Sequence, residues 1–114
     1  MEAFFAGPGQ GERIGANRHR ALCELPDLEA VELAYGPDFE GVDPHTHPDH
    51  TDSFYVLEGE VEFFLDGEWR RTGAGAFVAV PPNVEHGFRP AGGRFRLLNV
   101  HAPNVGFNER LRSS

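Results

Sequence analysis

Glycine and proline punctuate this chain too often for any long helix to run through it. Fourteen Gly and nine Pro fall among 114 residues, and short runs with a two-residue alternation lie between them. His19, Ala21, Cys23 and Leu25 share one parity of Arg18 to Leu25, with Arg18, Arg20 and Glu24 on the other, as in a strand with one wet face. Glu29 to Tyr35 alternates again, with Val31, Leu33 and Tyr35 in phase. Ser53 to Glu58 is rich in aromatic and β-branched residues and reads as apolar on both faces, as between two layers. Glu60 to Leu65 and Glu68 to Arg71 flank Asp66-Gly67, a two-residue loop that favours a type I′ hairpin. Ala76 to Val80, Glu85 to Arg89 and Arg94 to His101 complete the set. About eight to ten short strands with almost no helix predict an antiparallel all-β sandwich or barrel.

Residues 1–17 are Gly-rich and weakly patterned, and read as an N-terminal arm whose Phe4 and Phe5 pack on the barrel or on a second subunit. Residues 18–104 form the barrel, and 105–114 a short tail, with one or two helical turns over Phe107 to Arg112. The length suits one domain.

Chemistry concentrates between Gly41 and Gly59. His45 and His47 stand two residues apart in an extended segment flanked by Pro44 and Pro48, so both imidazoles project from one strand face. Asp52 opens the next apolar run, and an antiparallel return brings it beside the pair. A second block, Gly75 to His86, offers a third imidazole at His86. Three neutral imidazoles and one carboxylate suit a divalent transition metal, with Fe, Mn, Ni, Cu and Zn all compatible. On an octahedral ion, four protein ligands leave up to two positions for water, dioxygen or a substrate. His50 lies in the turn between His47 and Asp52 and is expected at an exposed rim. It is also a candidate to complete the metal site in place of Asp52, or to act as an acid or base.

These two blocks resemble the motifs of the cupin superfamily. Its first motif runs G-x5-H-x-H-x(3,4)-E-x6-G. Here Gly41 is followed by three residues, then His45-Thr46-His47, four residues on by Asp52 in the glutamate place, and by Gly59 after six more. The second runs G-x5-P-x-G-x2-H-x3-N. Here it is Gly75, Pro81, Asn83 in the glycine place and His86, with Pro90 in the final Asn place. Asn tolerates positive φ better than other non-glycine residues. Asp52 is one methylene shorter than Glu, so its carboxylate draws the ion toward its own strand or reaches it through water. The resemblance covers roughly Glu29 to Val100. It implies a cupin-type antiparallel jelly-roll barrel in a single domain, often dimeric, with a metal in its mouth.

Around the metal ligands, Phe54, Phe63, Phe77 and Phe88 are core residues that also wall a pocket, since small-molecule sites are mostly apolar. Asn99 and His101 share the parity of Phe95 and Leu97, which faces inward because Arg94 and Arg96 must reach water. Asn99 is then a substrate contact, and His101, with His50, a candidate catalytic group. The expected function is that of a metal-dependent enzyme of dioxygenase, isomerase or decarboxylase type acting on a small molecule. The alternative is a non-catalytic module binding a metal, sugar or metabolite.

Composition excludes some partners. The formal charge is −8, from 18 acidic and 10 basic residues, which argues against nucleic acid and anionic membranes. One cysteine, Cys23, permits no internal disulfide and reads as a buried small hydrophobe. No run approaches the ~20 apolar residues of a membrane span, and the first residues lack signal-peptide character. The expected compartment is the cytoplasm. Edge strands in need of cover suggest a homodimer, with Trp69, just past the hairpin, a candidate for its interface.

Overall fold

The computed structural model describes residues 3–114. Ten strands and one short helix follow in the order β1 (Glu12–Ile14), β2 (His19–Glu24), β3 (Glu29–Tyr35), β4 (Val42–His45), β5 (Thr51–Glu58), β6 (Glu60–Leu65), β7 (Glu68–Gly73), β8 (Phe77–Val80), β9 (His86–Pro90), β10 (Phe95–Ala102) and α1 (Phe107–Arg112). They form two antiparallel sheets. One has six strands in the order β1-β2-β3-β10-β5-β8, the other four in the order β4-β9-β6-β7. This is the antiparallel all-β architecture expected from the alternating runs, in the two-sheet jelly-roll form that the cupin resemblance implies. No helix among the described residues is long and apolar enough to cross a membrane.

The turn chemistry explains the register. Asp66 and Gly67 both adopt positive φ, 53° and 81°. They close a hairpin in which Leu65 faces Glu68 and Glu60 faces Gly73. Gly59 separates β5 from β6 at φ 80°. A Cβ there would lie 2.3 Å from the carbonyl oxygen of Arg94, so the chain crosses between sheets at a point where no other residue fits.

The core lies between the sheets. Val31, Leu33, Phe54, Val56, Val61, Phe63, Phe88, Phe95 and Leu97 are buried together. Ser53 to Glu58, read as apolar on both faces, and the short β8 each cover one face and leave the other to solvent. In β5, Phe54 and Val56 point inward, while Tyr55 is 41% and Leu57 36% exposed. In β8, Val80 points inward and Phe77 is 67% exposed. Phe77 lies opposite Tyr55 in the ladder, so the two rings share the outer surface of the six-stranded sheet.

Several expectations need correction at their edges. The N-terminal arm carries β1, paired to β2 through Ile14 and His19, because buried Ile14 joins the core cluster. Phe4 and Phe5 are exposed and do not pack on the barrel. Cys23 is half-buried, because a bulge between Ala21 and Cys23 breaks the inward parity of β2. Trp69 is half-buried, with the Arg89 guanidinium 3.8 Å from its ring centroid and Phe64 edge-on to it.

Candidate metal centre

Both sheets contribute to one cluster. β4 ends at His45, which lies directly opposite His86 at the start of β9. His47 falls in the loop beyond β4, so the shared strand face expected for His45 and His47 is not what aligns them. The loop is held instead by the turn before β9, where the Asn83 amide donates to the His47 carbonyl at 2.7 Å. Asn83 adopts φ 68° there, the conformation that its place in the second motif requires. Asp52 arrives from β5 in the other sheet, between Val80 of β8 and His101 of β10. It meets the histidines across the interior, because β4 pairs with β9 and not with β5.

Ligand atoms of His45, His47 and His86 lie within 4.8 Å of one another. Nδ1 of His45 donates to the Asp43 carbonyl at 2.8 Å, and Nδ1 of His86 to the Val84 carbonyl at 2.9 Å. A carbonyl can only accept, so both rings are oriented with Nε2 toward the cluster, as metal-ligating imidazoles require. Nε2 of His45 sits 2.9 Å from Nε2 of His47. Burial, with the neighbouring His45 and His50, pushes the His47 pKa down to about 4, so this ring is neutral and able to ligate at neutral pH.

Asp52 is the hub. Its Oδ1 accepts from Asn99 Nδ2 at 2.7 Å and lies 3.2 Å from His101 Nε2. Its Oδ2 lies 3.1 Å from His86 Nε2 and 3.7 Å from His47 Nε2. Burial acts to raise its pKa, but the bonds from His101, His86 and Asn99 outweigh it and hold the carboxyl well below the ordinary carboxylate range. For His86, burial acts to lower the pKa, and the Asp52 and Val84 hydrogen bonds with the Asp52 charge turn the balance upward. With Nδ1 committed to Val84, Nε2 is the nitrogen that faces Asp52 across the place that a cation would take. The donor set therefore fits a divalent ion: three convergent imidazole nitrogens and a carboxylate oxygen already turned toward them.

His50 departs from the expected exposed rim. It is 5% exposed. Its Nδ1 bonds to Asp49 Oδ1 at 2.7 Å, and its Nε2 has no partner. With His47 and Asp52 it forms a second group of converging ligand atoms, and its ring centroid lies 5.0 Å from that of His101. The turn is folded inward because Asp49 stays in solvent and holds the near side of the ring.

Behind the polar cluster lies a cavity of about 200 Å³, lined by Leu33, Tyr35, Val42, Phe54, Phe88, Phe107 and Leu111 beside His45, His47, Asp52, Asn99 and His101. Phe54, Phe88 and Asn99 thus take the expected places. Phe63 does not reach this cavity; it is buried behind Phe54, 5.4 Å away between centroids, and Phe88, 6.2 Å away. Phe77 faces solvent on the outside of the sheet and cannot line the cavity. A larger open cleft of about 1000 Å³, bordered by Arg18, Phe39, Glu58, Arg94 and Arg96, contains none of the histidines.

Sequence reasoning missed Glu29. It is 1% exposed and accepts from the backbone amides of Val105, Phe107 and Asn108 at 2.9, 3.1 and 2.9 Å. Burial alone would raise its pKa, but those amides and nearby His101 hold it below the usual carboxylate value. Its Oε2 lies 3.5 Å from His101 Nδ1, a nitrogen with no hydrogen-bond partner. The signal was available: Glu29 shares the inward parity of Val31 and Leu33, and a buried carboxylate must find donors. Phe107 and Leu111 were missed because a six-residue helix has too few turns to reveal its inner face.

Comparison with known proteins agrees with the fold. The family model described as Cupin domain matches residues 31–101. Over 102 residues the chain is 28% identical to quercetin 2,3-dioxygenase of Bacillus subtilis (strain 168), covering 85% of this chain and 30% of that protein. An uncharacterised protein of Aquifex aeolicus (strain VF5) is 29% identical over 69 residues, 60% of this chain and 57% of its own. The chain thus spans under two thirds of either relative. Among solved structures, an RmlC-like cupin from Shewanella frigidimarina NCIMB 400 superposes with a TM-score of 0.73 at 26% identity, covering 92% of this chain and 94% of that one. KdgF from a Halomonas species gives 0.70 at 27% identity, with 75% and 77% covered.

Proposed function

The chain belongs to the cupin domain family, and from that membership we propose that it is a metal-dependent enzyme acting on a small molecule held beside one divalent transition metal. His45, His47, His86 and Asp52 hold the ion. The single observation that carries this reading is the convergence of three imidazole nitrogens from His45, His47 and His86 within 4.8 Å, with the Asp52 carboxylate turned toward them. The partial likeness to a quercetin 2,3-dioxygenase favours an oxygenase among the enzyme types.

When bound, such an ion polarises a coordinated oxygen and, if redox-active, offers dioxygen a place to bind. The chain's own residues supply the rest. The Asp43 and Val84 carbonyls fix the ring orientation of His45 and His86. Asn99 and His101 hold Oδ1 of Asp52, which leaves Oδ2 for the ion. His101 Nε2, 3.2 Å from Asp52 Oδ1, is placed to exchange a proton with a substrate oxygen beside the carboxylate. The aromatic wall of Phe54, Phe88 and Phe107 keeps bulk water away from the reacting atoms.

The test is elemental analysis of tag-free protein, followed by an oxygen-consumption screen with small chelating substrates. One equivalent of Fe, Mn, Ni, Cu or Zn in the wild type, lost in His86→Ala, is the expected result. Full metal content in His86→Ala refutes the ligand set. A bound metal with no exchangeable water and no turnover would favour the competing reading, a binding module.

A further inference from the structure

The cavity beside the histidines also constrains what can enter it. About 200 Å³ lies below the roughly 300–1,000 Å³ of a site for a drug-sized ligand. The polar lining is His45, His47, Asp52, Asn99 and His101. Apart from Tyr35, the remainder is apolar. His45 and His47 are half-buried while Asp52 and His101 are buried, so the entrance lies beside the first pair.

Charge narrows the choice further. Among the described residues that line the cavity there is no guanidinium, and Asp52 is the one carboxylate. The chain has no lysine. With a divalent ion and Asp52 together, one positive charge is left to neutralise. A monoanionic head satisfies it. A second anionic group would be carried into apolar walls with nothing to pair it, at a cost of several kcal/mol.

One wall, with Phe107 edge-on to His101 at 4.8 Å between centroids, is unusual in origin. Phe107 and Leu111 come from the C-terminal helix α1, not from the barrel strands. That helix is pinned by Glu29 through the Val105, Phe107 and Asn108 amides. It is tied at its far end by Arg112, paired with Glu12 and Glu24.

Resting on the metal reading above, we infer that the cavity takes a small chelator with one anionic oxygen head and a short apolar tail, and that Phe107 and Leu111 limit the size of that tail. Phosphorylated or dicarboxylic compounds and three-ring flavonols lie outside this class.

The test uses the zinc-loaded protein, since zinc has no redox turnover, and zinc stoichiometry is measured first. Three hydroxamates with the same chelating head are then titrated by calorimetry: benzohydroxamate, biphenyl-4-hydroxamate and succinomonohydroxamate. Benzohydroxamate should bind at least about tenfold more tightly than either of the others. In Phe107→Ala and Leu111→Ala, run side by side with helix content checked by circular dichroism, the biphenyl compound should gain about tenfold and the succinyl compound nothing. Equal binding of all three to the wild type overturns the inference. So does biphenyl binding that neither variant changes. Either result, with zinc still stoichiometric, leaves the metal reading intact, whereas failure to hold zinc overturns both.

Discussion

At the scale of single residues, the centre is governed by where protons sit. Folded His47 has its pKa pushed down to about 4, against roughly 6.5 when unfolded. Between these values the unfolded chain takes up a proton that the folded chain refuses, so stability falls as pH drops through that window. His86 has the opposite sign. Its pKa is raised, so its contribution is complete below the unfolded value and is lost as pH rises through the folded one. Melting temperatures of the metal-free protein from pH 4 to 8 should show both limbs. His47→Ala should flatten the acid limb, and His86→Ala the alkaline one. An unchanged acid limb in His47→Ala would mean that this ring is not held neutral.

At the scale of elements, the C-terminal helix depends on one side chain from β3. Glu29→Ala removes the acceptor for three backbone amides and should cost about 2–4 kcal/mol in denaturant unfolding. Glu29→Gln, which keeps one carbonyl oxygen, should cost less. Equal stability of all three proteins would show that water replaces the carboxylate without penalty. Gly59→Ala should also destabilise, by about 1–3 kcal/mol, because positive φ and the Arg94 carbonyl both exclude a Cβ.

How far such elements can be read in advance depends on what sets them. The bounds of β3 and β6 and the Asp66-Gly67 hairpin were legible, because Pro, Gly and Asp fix them through local backbone preference. The convergence of His45, His47 and His86 was legible from motif spacing. The inward face of β8 was not. Phe77-Val78-Ala79-Val80 is apolar at both parities, and periodicity cannot choose a side when neither is polar. The packing partner chose Val78 and Val80. His50 was misplaced for a related reason: a turn position suggests solvent, while its burial depends on a neighbouring strand, β10, distant in sequence.

At the scale of the whole molecule, the proposed ligand set joins the two sheets. His45 and His86 belong to the four-stranded sheet and Asp52 to the six-stranded one. A bound ion therefore ties the layers together, and its removal should destabilise the entire fold and not one loop. At free metal 100 times its dissociation constant, the linkage amounts to about 2.7 kcal/mol. Chelation should lower the melting temperature in one cooperative transition. In Asp52→Ala, which keeps ligands from one sheet alone, the same treatment should shift it much less.

His101 has one ring nitrogen 3.5 Å from Glu29 and the other 3.2 Å from Asp52. Nitrogen-15 labelling of that imidazole would give a two-channel reporter. Nδ1 senses whether the C-terminal helix is seated, and Nε2 senses what has entered the cation site. A chemical-shift change confined to one channel would tell an observer which of the two events came first.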